Sequence, residues 1–411
     1  MQLNFHAISR LLTLRYDPIQ SPIRKRLTQS DFTPLSSHGN NVVTRTFDLI
    51  EKELLNIHDE RKFKRVSLAL SGGVDSRLTL AMIRTILPDV KIDCVSVGFG
   101  DMDDEVDQAE NVAKTFNCNF DAIIIDHVLS DLPRLISIVR EPRWNLYQYY
   151  AFEHGKRRSA DVFYTGDGGD ELFGGYTFRY QRFLSLLPKN AGWKAKAKLY
   201  LSCHERDWVP DQNKLFGAAV KFSWEKIYQL FQPYFSNELE PLNQVFLADF
   251  NGKLLYDWLP TNNAFSDFLQ LRIESVFLSD AMITFATHIP WQKKYDPETK
   301  IGKIPLRSNL IKQKGNEGMM KDAVKKGFSM NLASLWSREA REIVSTYVNA
   351  DSEVVKKGLI NERWLARAAT SLRDNNRELQ SRYINKMLSI LALEVWHRLF
   401  ISKTINNKQR L

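Results

Sequence analysis

The string Ser71-Gly72-Gly73-Val74-Asp75-Ser76 lies where a short β-rich run, Val66–Leu70, gives way to a helical pattern. Strand, glycine-rich turn and helix in that order build a seat for an anion. Two adjacent glycines let the backbone turn tightly and aim N–H groups at the ligand. The helix start adds the positive end of its dipole, and Ser71 and Ser76 add hydroxyl donors. Asp75 is an anion in an anion site, which makes sense if it holds Mg²⁺, a cation that takes carboxylate and phosphate oxygens together. The string is not a Walker A loop, because it lacks that motif's spacing and its lysine. A bare turn is the plain alternative for a pair of glycines, but it leaves the strand–loop–helix context and Asp75 without a reason.

A second string, Thr165-Gly166-Asp167-Gly168-Gly169-Asp170-Glu171-Leu172-Phe173-Gly174-Gly175-Tyr176, follows another short apolar run, Asp161–Thr165. Its glycines and carboxylates make an acidic, permissive loop at the carboxyl end of a strand. If the two loops face each other, Asp75 and Asp170 share one metal, and Asp167 or Glu171 serves as a base or an orienting group. The alternative is an acidic surface turn; its spacing is not that of an EF-hand.

Facing loops require a particular set of elements. Val66–Leu70, Ile92–Val97, Phe120–Ile125 and Asp161–Thr165 read as strands. Between them, 79–87, Val106–Phe116, His127–Val139 and Leu146–His154 read as helices, with a further helix over 42–62. Short apolar strands alternating with helices predict βαβ units and a parallel, doubly wound α/β sheet, which binds ligands at the carboxyl ends of its strands. Beyond Tyr176 strand signals fade, and Gln229–Leu278, Met320–Val348 and Arg377–Phe400 read as mostly helical, broken at Pro233, Pro241 and Pro260. The expected organisation is an N-terminal preface and linker over 1–41, a nucleotide-binding core over 42–180 and a mainly helical substrate and closing region over 181–411.

The first loop resembles the pyrophosphate loop of the ATP pyrophosphatase superfamily, and the second narrows the likeness to the synthase domain of the asparagine synthetases. Asp104-Glu105 with Ala109, Lys325-Lys326-Gly327-Phe328, and Leu391–Phe400 resemble further elements of that domain. The resemblance spans roughly 42–400, strong at the two loops and weak between Phe178 and Gln270. It implies the adenine nucleotide alpha hydrolase-like fold, with ATP and Mg²⁺ as cofactors. It implies adenine contacts near Leu70, Val97 and Gly166, a phosphate cradle over Ser71, Gly72, Gly73, Asp75 and Ser76, and Mg²⁺ ligands at Asp75 and Asp170. It further implies Lys325 as the lysine that assists adenylate formation and Asp167 as the acceptor of a proton from the incoming amine. The implied reaction is amide formation, in which ATP adenylates a carboxylate, aspartate or another acid, and ammonia or an amine displaces AMP.

Three departures qualify the likeness. No Cys follows the first Met, and only about seventy residues precede the first loop, so the family's glutaminase domain is expected to be absent and nitrogen to come from ammonia, an amine or a separate glutaminase subunit. Arg77 stands where the family usually has Ser, placed to pair with a substrate anion or with a nearby Asp. The substrate-side stretch reads Arg272-Ile273-Glu274-Ser275-Val276-Phe277-Leu278-Ser279-Asp280, with its charges exchanged and its proline missing, which opens the choice of acid to a peptide or natural-product carboxylate.

Composition bounds the remaining readings. Three Cys without C-x-x-C exclude a disulfide scaffold and a zinc motif and suit a reducing, cytoplasmic setting. No apolar run has the length of a membrane span. Net charge is +9, and residues 301–411 alone hold 21 Lys+Arg against 10 Asp+Glu, an excess of +11. That excess keeps a nucleic-acid-modifying enzyme of the same superfamily as the alternative, alongside a scaffold subunit that has lost catalysis.

Overall fold

The protein is described from a computed structural model, over residues 4–99, 104–125, 127–311, 332–372 and 376–411. Five strands, β1 (Arg65–Ala69), β2 (Lys91–Gly98), β3 (Asn119–Ile124), β4 (Val162–Tyr164) and β5 (Arg272–Glu274), form one all-parallel sheet in the order β3-β2-β1-β4-β5. The doubly wound α/β class read from the sequence holds. Strand order runs outward from β1 through β2 to β3, then reverses to β4. The crevice between the carboxyl ends of β1 and β4 is therefore the topological switch point where ligands of such sheets bind.

Side chains along each strand alternate between two cores. Val66 and Leu68 of β1, Ile92 and Cys94 of β2, and Val162 and Tyr164 of β4 join a cluster with α2 (Val42–Arg61), α3 (Val74–Ile86) and α4 (Asp104–Thr115). Val95 and Val97 of β2 and Phe163 of β4 join the opposite cluster with α5 (Leu132–Val139) and α6 (Gln148–Arg157). Gly155 of α6 faces Phe163, whose ring a Cβ there would strike. The helix from Arg377 to Phe400 closes the second core, and its Lys386 ammonium donates to the carbonyls of Leu12 and Asp207.

Two features depart from the sequence reading. The helix after the first loop begins at Val74, five residues earlier than expected, so Asp75 and Ser76 lie in its first turn. The stretch Gln229–Leu278, read as broken helices, also contains β5 and a π-helical segment, Phe250–Trp258, with Gly252 at φ −104°, ψ −119°. β5 is only three residues long and follows the helix Leu259–Leu269 directly. Its register with β4, Val162 to Arg272 and Tyr164 to Glu274, is what makes it a strand. Among the described residues no helix is long and apolar enough to cross a membrane.

Candidate active site

The first loop closes on itself. The backbone N–H of Ser71 donates to Ser76 Oγ at 3.1 Å, the Ser76 hydroxyl donates to the Ser71 carbonyl at 3.1 Å, and the Gly73 N–H donates to Ser71 Oγ at 3.1 Å. Both serines are thus spent partly on shaping the turn. Gly73 is the N-cap of α3 and has no capping side chain, which leaves the helix start open to an anion. Gln108 of α4 packs over Gly72, where an added Cβ would collide with its amide oxygen and lie 3.2 Å from its Cβ. Leu70 and Val97 lie at the carboxyl ends of β1 and β2, with the Leu70 N–H donating to the Val95 carbonyl at 2.8 Å.

The second loop leaves β4 and becomes a single helical turn, α7 (Gly169–Phe173). Gly168 (φ 87°) and Gly174 (φ 76°) flank it in the left-handed region, which glycine enters without steric cost. Close approach to the first loop also requires glycine. A Cβ on Gly166 would lie 3.0 Å from Asp75 Cβ, and one on Gly169 would lie 2.6 Å from the Asp75 carboxyl carbon. The two loops therefore face each other, as their positions in the sequence predict, and bring Asp75, Asp167 and Asp170 into one crevice.

A residue that the sequence reading did not select stands between the carboxylates. Lys303 pairs with Asp75 Oδ2 and, at 2.6 Å, with Asp170 Oδ1. Its side chain is 3% exposed. It follows a two-stranded hairpin, β6 (Tyr295–Asp296) and β7 (Ile301–Gly302), and its own backbone is left-handed at φ 56°. Its N–H donates to the Phe173 carbonyl at 3.0 Å, which fastens the hairpin to α7. Burial works against the ammonium, but Asp170 and Asp75 outweigh it and raise its pKa above the usual lysine value. A non-glycine residue with positive φ and a buried charge is the one signal that marks Lys303, and both parts of it are structural.

Asp167 is half-buried, and two side-chain donors converge on one of its oxygens. The Thr165 hydroxyl donates to Oδ2 at 2.8 Å and Asn262 Nδ2 donates to the same atom at 2.7 Å. The Ser275 hydroxyl donates to the Asp167 carbonyl at 2.6 Å. Burial first, with Asp75 and Asp170 adding to it, pushes the carboxyl up to about 6 against the two hydrogen bonds. Glu171, the other candidate base, is buried and accepts from the Tyr176 hydroxyl at 2.5 Å, and burial pushes it up to about 7. It lines a small pocket with Tyr16, Arg179, Tyr200, Asp249 and Lys253.

Arg77 is half-buried in the first turn of α3, and Glu105 lies in the first turn of α4. Lys325 lies outside the described residues. The donor set suits Mg²⁺: two carboxylates within reach of one cation, beside a helix start shaped for phosphate, are what that ion uses when a nucleotide supplies its other oxygens. Among the described residues no group of three His, Cys, Asp or Glu side chains forms a metal cage, and Mg²⁺ bound with a nucleotide does not need one.

Residues 60–398 match the family model described as asparagine synthase. Among curated proteins, asparagine synthetase [glutamine-hydrolyzing] 1 of Bacillus subtilis (strain 168) is 24% identical over 420 residues, covering 92% of this chain and 63% of the relative. The chain thus spans less than two thirds of that relative's length. Among solved structures, the U34-tRNA thiolase of Methanococcus maripaludis aligns over 58% of this chain and 82% of its own, at 14% identity and a TM-score of 0.26. The NH3-dependent NAD synthetase of Campylobacter jejuni aligns over 48% and 97%, at 13% identity and a TM-score of 0.26.

Proposed function

Since the chain belongs to the asparagine synthase family, we propose that it is an ATP-dependent amide-forming ligase, which activates a carboxylate as an acyl adenylate and passes it to ammonia or an amine. The observation that carries this reading is the convergence of the Ser71–Ser76 loop with Asp75, Asp170 and Asp167 at the switch point of the sheet.

In the first step a carboxylate oxygen of the acid attacks the α-phosphorus of ATP, the bridging bond to the β-phosphate breaks, and pyrophosphate leaves. The N-terminal turn of α3 and the Ser71–Ser76 loop bind the departing phosphates. Asp75 and Asp170 would hold Mg²⁺, which would supply charge neutralisation on the phosphates when bound. Lys303, and Lys325 by resemblance, add positive charge where negative charge builds up. In the second step an amine nitrogen attacks the acyl carbon, AMP departs with its phosphate oxygen, and the amine gives up a proton to Asp167. A carboxyl group with a pKa of about 6 is ionised at neutral pH and still basic enough for that task. The adenine lies against the backbone at Leu70, Val97 and Gly166.

The test is ATP–pyrophosphate exchange with Mg²⁺ across a panel of acids that includes aspartate. Acid-dependent return of labelled pyrophosphate into ATP is expected, and Asp75→Ala and Asp170→Ala should each abolish it. Exchange that never depends on an added acid would overturn the reading.

A further inference from the structure

The two carboxylates assigned to Mg²⁺ already share a cation of the chain's own. Lys303 Nζ pairs with Asp75 Oδ2 and Asp170 Oδ1 at once. The base of its side chain is fixed to the loop that carries Asp170 through the bond from its N–H to the Phe173 carbonyl. Its stem runs through a gap that Gly175 keeps open, since a Cβ there would collide with the Asp170 carboxylate and with Lys303 Cε. Gly302, one residue earlier, lets the hairpin backbone lie against the Gly174 carbonyl. The position of this ammonium is therefore set by two backbone contacts and a glycine-lined slot.

We propose that Lys303 is an internal counter-ion that closes the Asp75–Asp170 pair to free divalent cations and yields it only to a cation arriving with a polyphosphate. This rests on the ATP-dependent reading above. The argument is one of charge. The pair carries two negative charges, and Lys303 offsets one of them. A free Mg²⁺ entering the pair gives up tightly held water and strands a buried ammonium without a partner, and an uncompensated buried charge is strongly unfavourable. A nucleoside triphosphate changes that balance. Its phosphate oxygens ligate the metal and also accept the ammonium, so Lys303 exchanges carboxylate partners for phosphate ones and no charge is left unpaired. A lysine stem is flexible enough to make that exchange by side-chain rotation alone. Metal and nucleotide then bind as a linked pair, each raising the affinity for the other by the same factor.

The full chain is titrated with Mn²⁺, free ion being read by electron paramagnetic resonance, with no turnover required. Without nucleotide, Lys303→Met should bind Mn²⁺ about tenfold or more tightly than the unaltered chain, and α,β-methylene ATP should raise Mn²⁺ affinity of the unaltered chain by a similar factor. Equal Mn²⁺ affinity of the two chains without nucleotide would overturn the proposal. If circular dichroism shows that Lys303→Met does not fold, Lys303→Gln takes its place, and equal Mn²⁺ affinity of that chain and the unaltered one without nucleotide sinks the counter-ion role. An analogue that fails to bind with or without metal would instead count against the ATP reading, and the nucleotide-free comparison would still judge Lys303.

Discussion

Asp167 presents two unlike oxygens. Thr165 and Asn262 both donate to Oδ2, so Oδ1 is left as the better proton acceptor, and the carboxylate is held against rotation by two donors from different elements. Asn262 is 5% exposed, and its Oδ1 has no hydrogen-bond partner among the described residues, so its amide is committed to orienting Asp167. Replacing it with leucine removes a hydrogen bond to a charged group, about 1.5–3 kcal/mol, or roughly one to two pH units on Asp167. Asn262→Leu should therefore move the acidic limb of the amide-forming rate upward while leaving ATP–pyrophosphate exchange intact; a pH profile of each half-reaction reads this, and an unmoved limb would remove Asn262 from the mechanism. The carboxylates were legible in the sequence because they sit within the glycine-rich strings that shape their own loops. Asn262 and Lys303 were not, because each reaches the crevice from a segment that carries no local motif and lies 95 and 228 residues away from its partner.

The loop after β4 works as an element because of where its glycines fall. Gly168 and Gly174 bracket α7, and Gly169 and Gly175 lie within contact of the Asp75 and Asp170 carboxylates. Gly175→Ala puts a methyl group where Asp170 and Lys303 meet. Overpacking of this kind costs about 1–3 kcal/mol, and here it is charged to the ion-paired groups. The variant should unfold at lower denaturant concentration by that amount and lose most of its nucleotide affinity; native-like titration with α,β-methylene ATP would show that the crevice tolerates the methyl. Four strands were legible from their apolar runs and from the helices between them, as was the early helical run of 42–62. β5 was not. Three half-buried residues, Arg272–Glu274, have no run and no alternation to read, and they become a strand only by pairing with β4. The start of α3 was misplaced for a related reason: the residues of a ligand loop and of a helix's first turn are the same residues, and only the backbone separates the two.

At the scale of the whole molecule, the interior stores charge as well as apolar surface. Lys294 is fully buried behind Gly174, its Nζ 5.1 Å from the centre of the Phe246 ring and without a hydrogen-bond partner among the described residues. Burial lowers its pKa from 10.5 to about 7. Between those two values the unfolded chain binds the proton that the folded chain has released, so stability rises with pH across that window, and below it the full cost of a buried ammonium is felt. Lys294→Met should stabilise the protein by roughly 1–4 kcal/mol below pH 7, with the gain shrinking toward alkaline pH. Urea melts of the two chains over a pH series measure the difference directly, and a gain independent of pH would mean that packing, not charge, is responsible.

The register of β5 against β4 has a temporal consequence. The Ser275 hydroxyl that steadies the Asp167 carbonyl is 108 residues downstream of it, and pairings so distant in the chain form slowly. During synthesis, β1 to β4 emerge first, Asn262 and β5 follow, and Lys303 comes later still, so the crevice is completed by parts delivered in sequence. Until β5 arrives, the free edge of β4 is an unpaired strand, the kind of edge on which chains aggregate. The same short strand that completes the site therefore also covers the edge of β4.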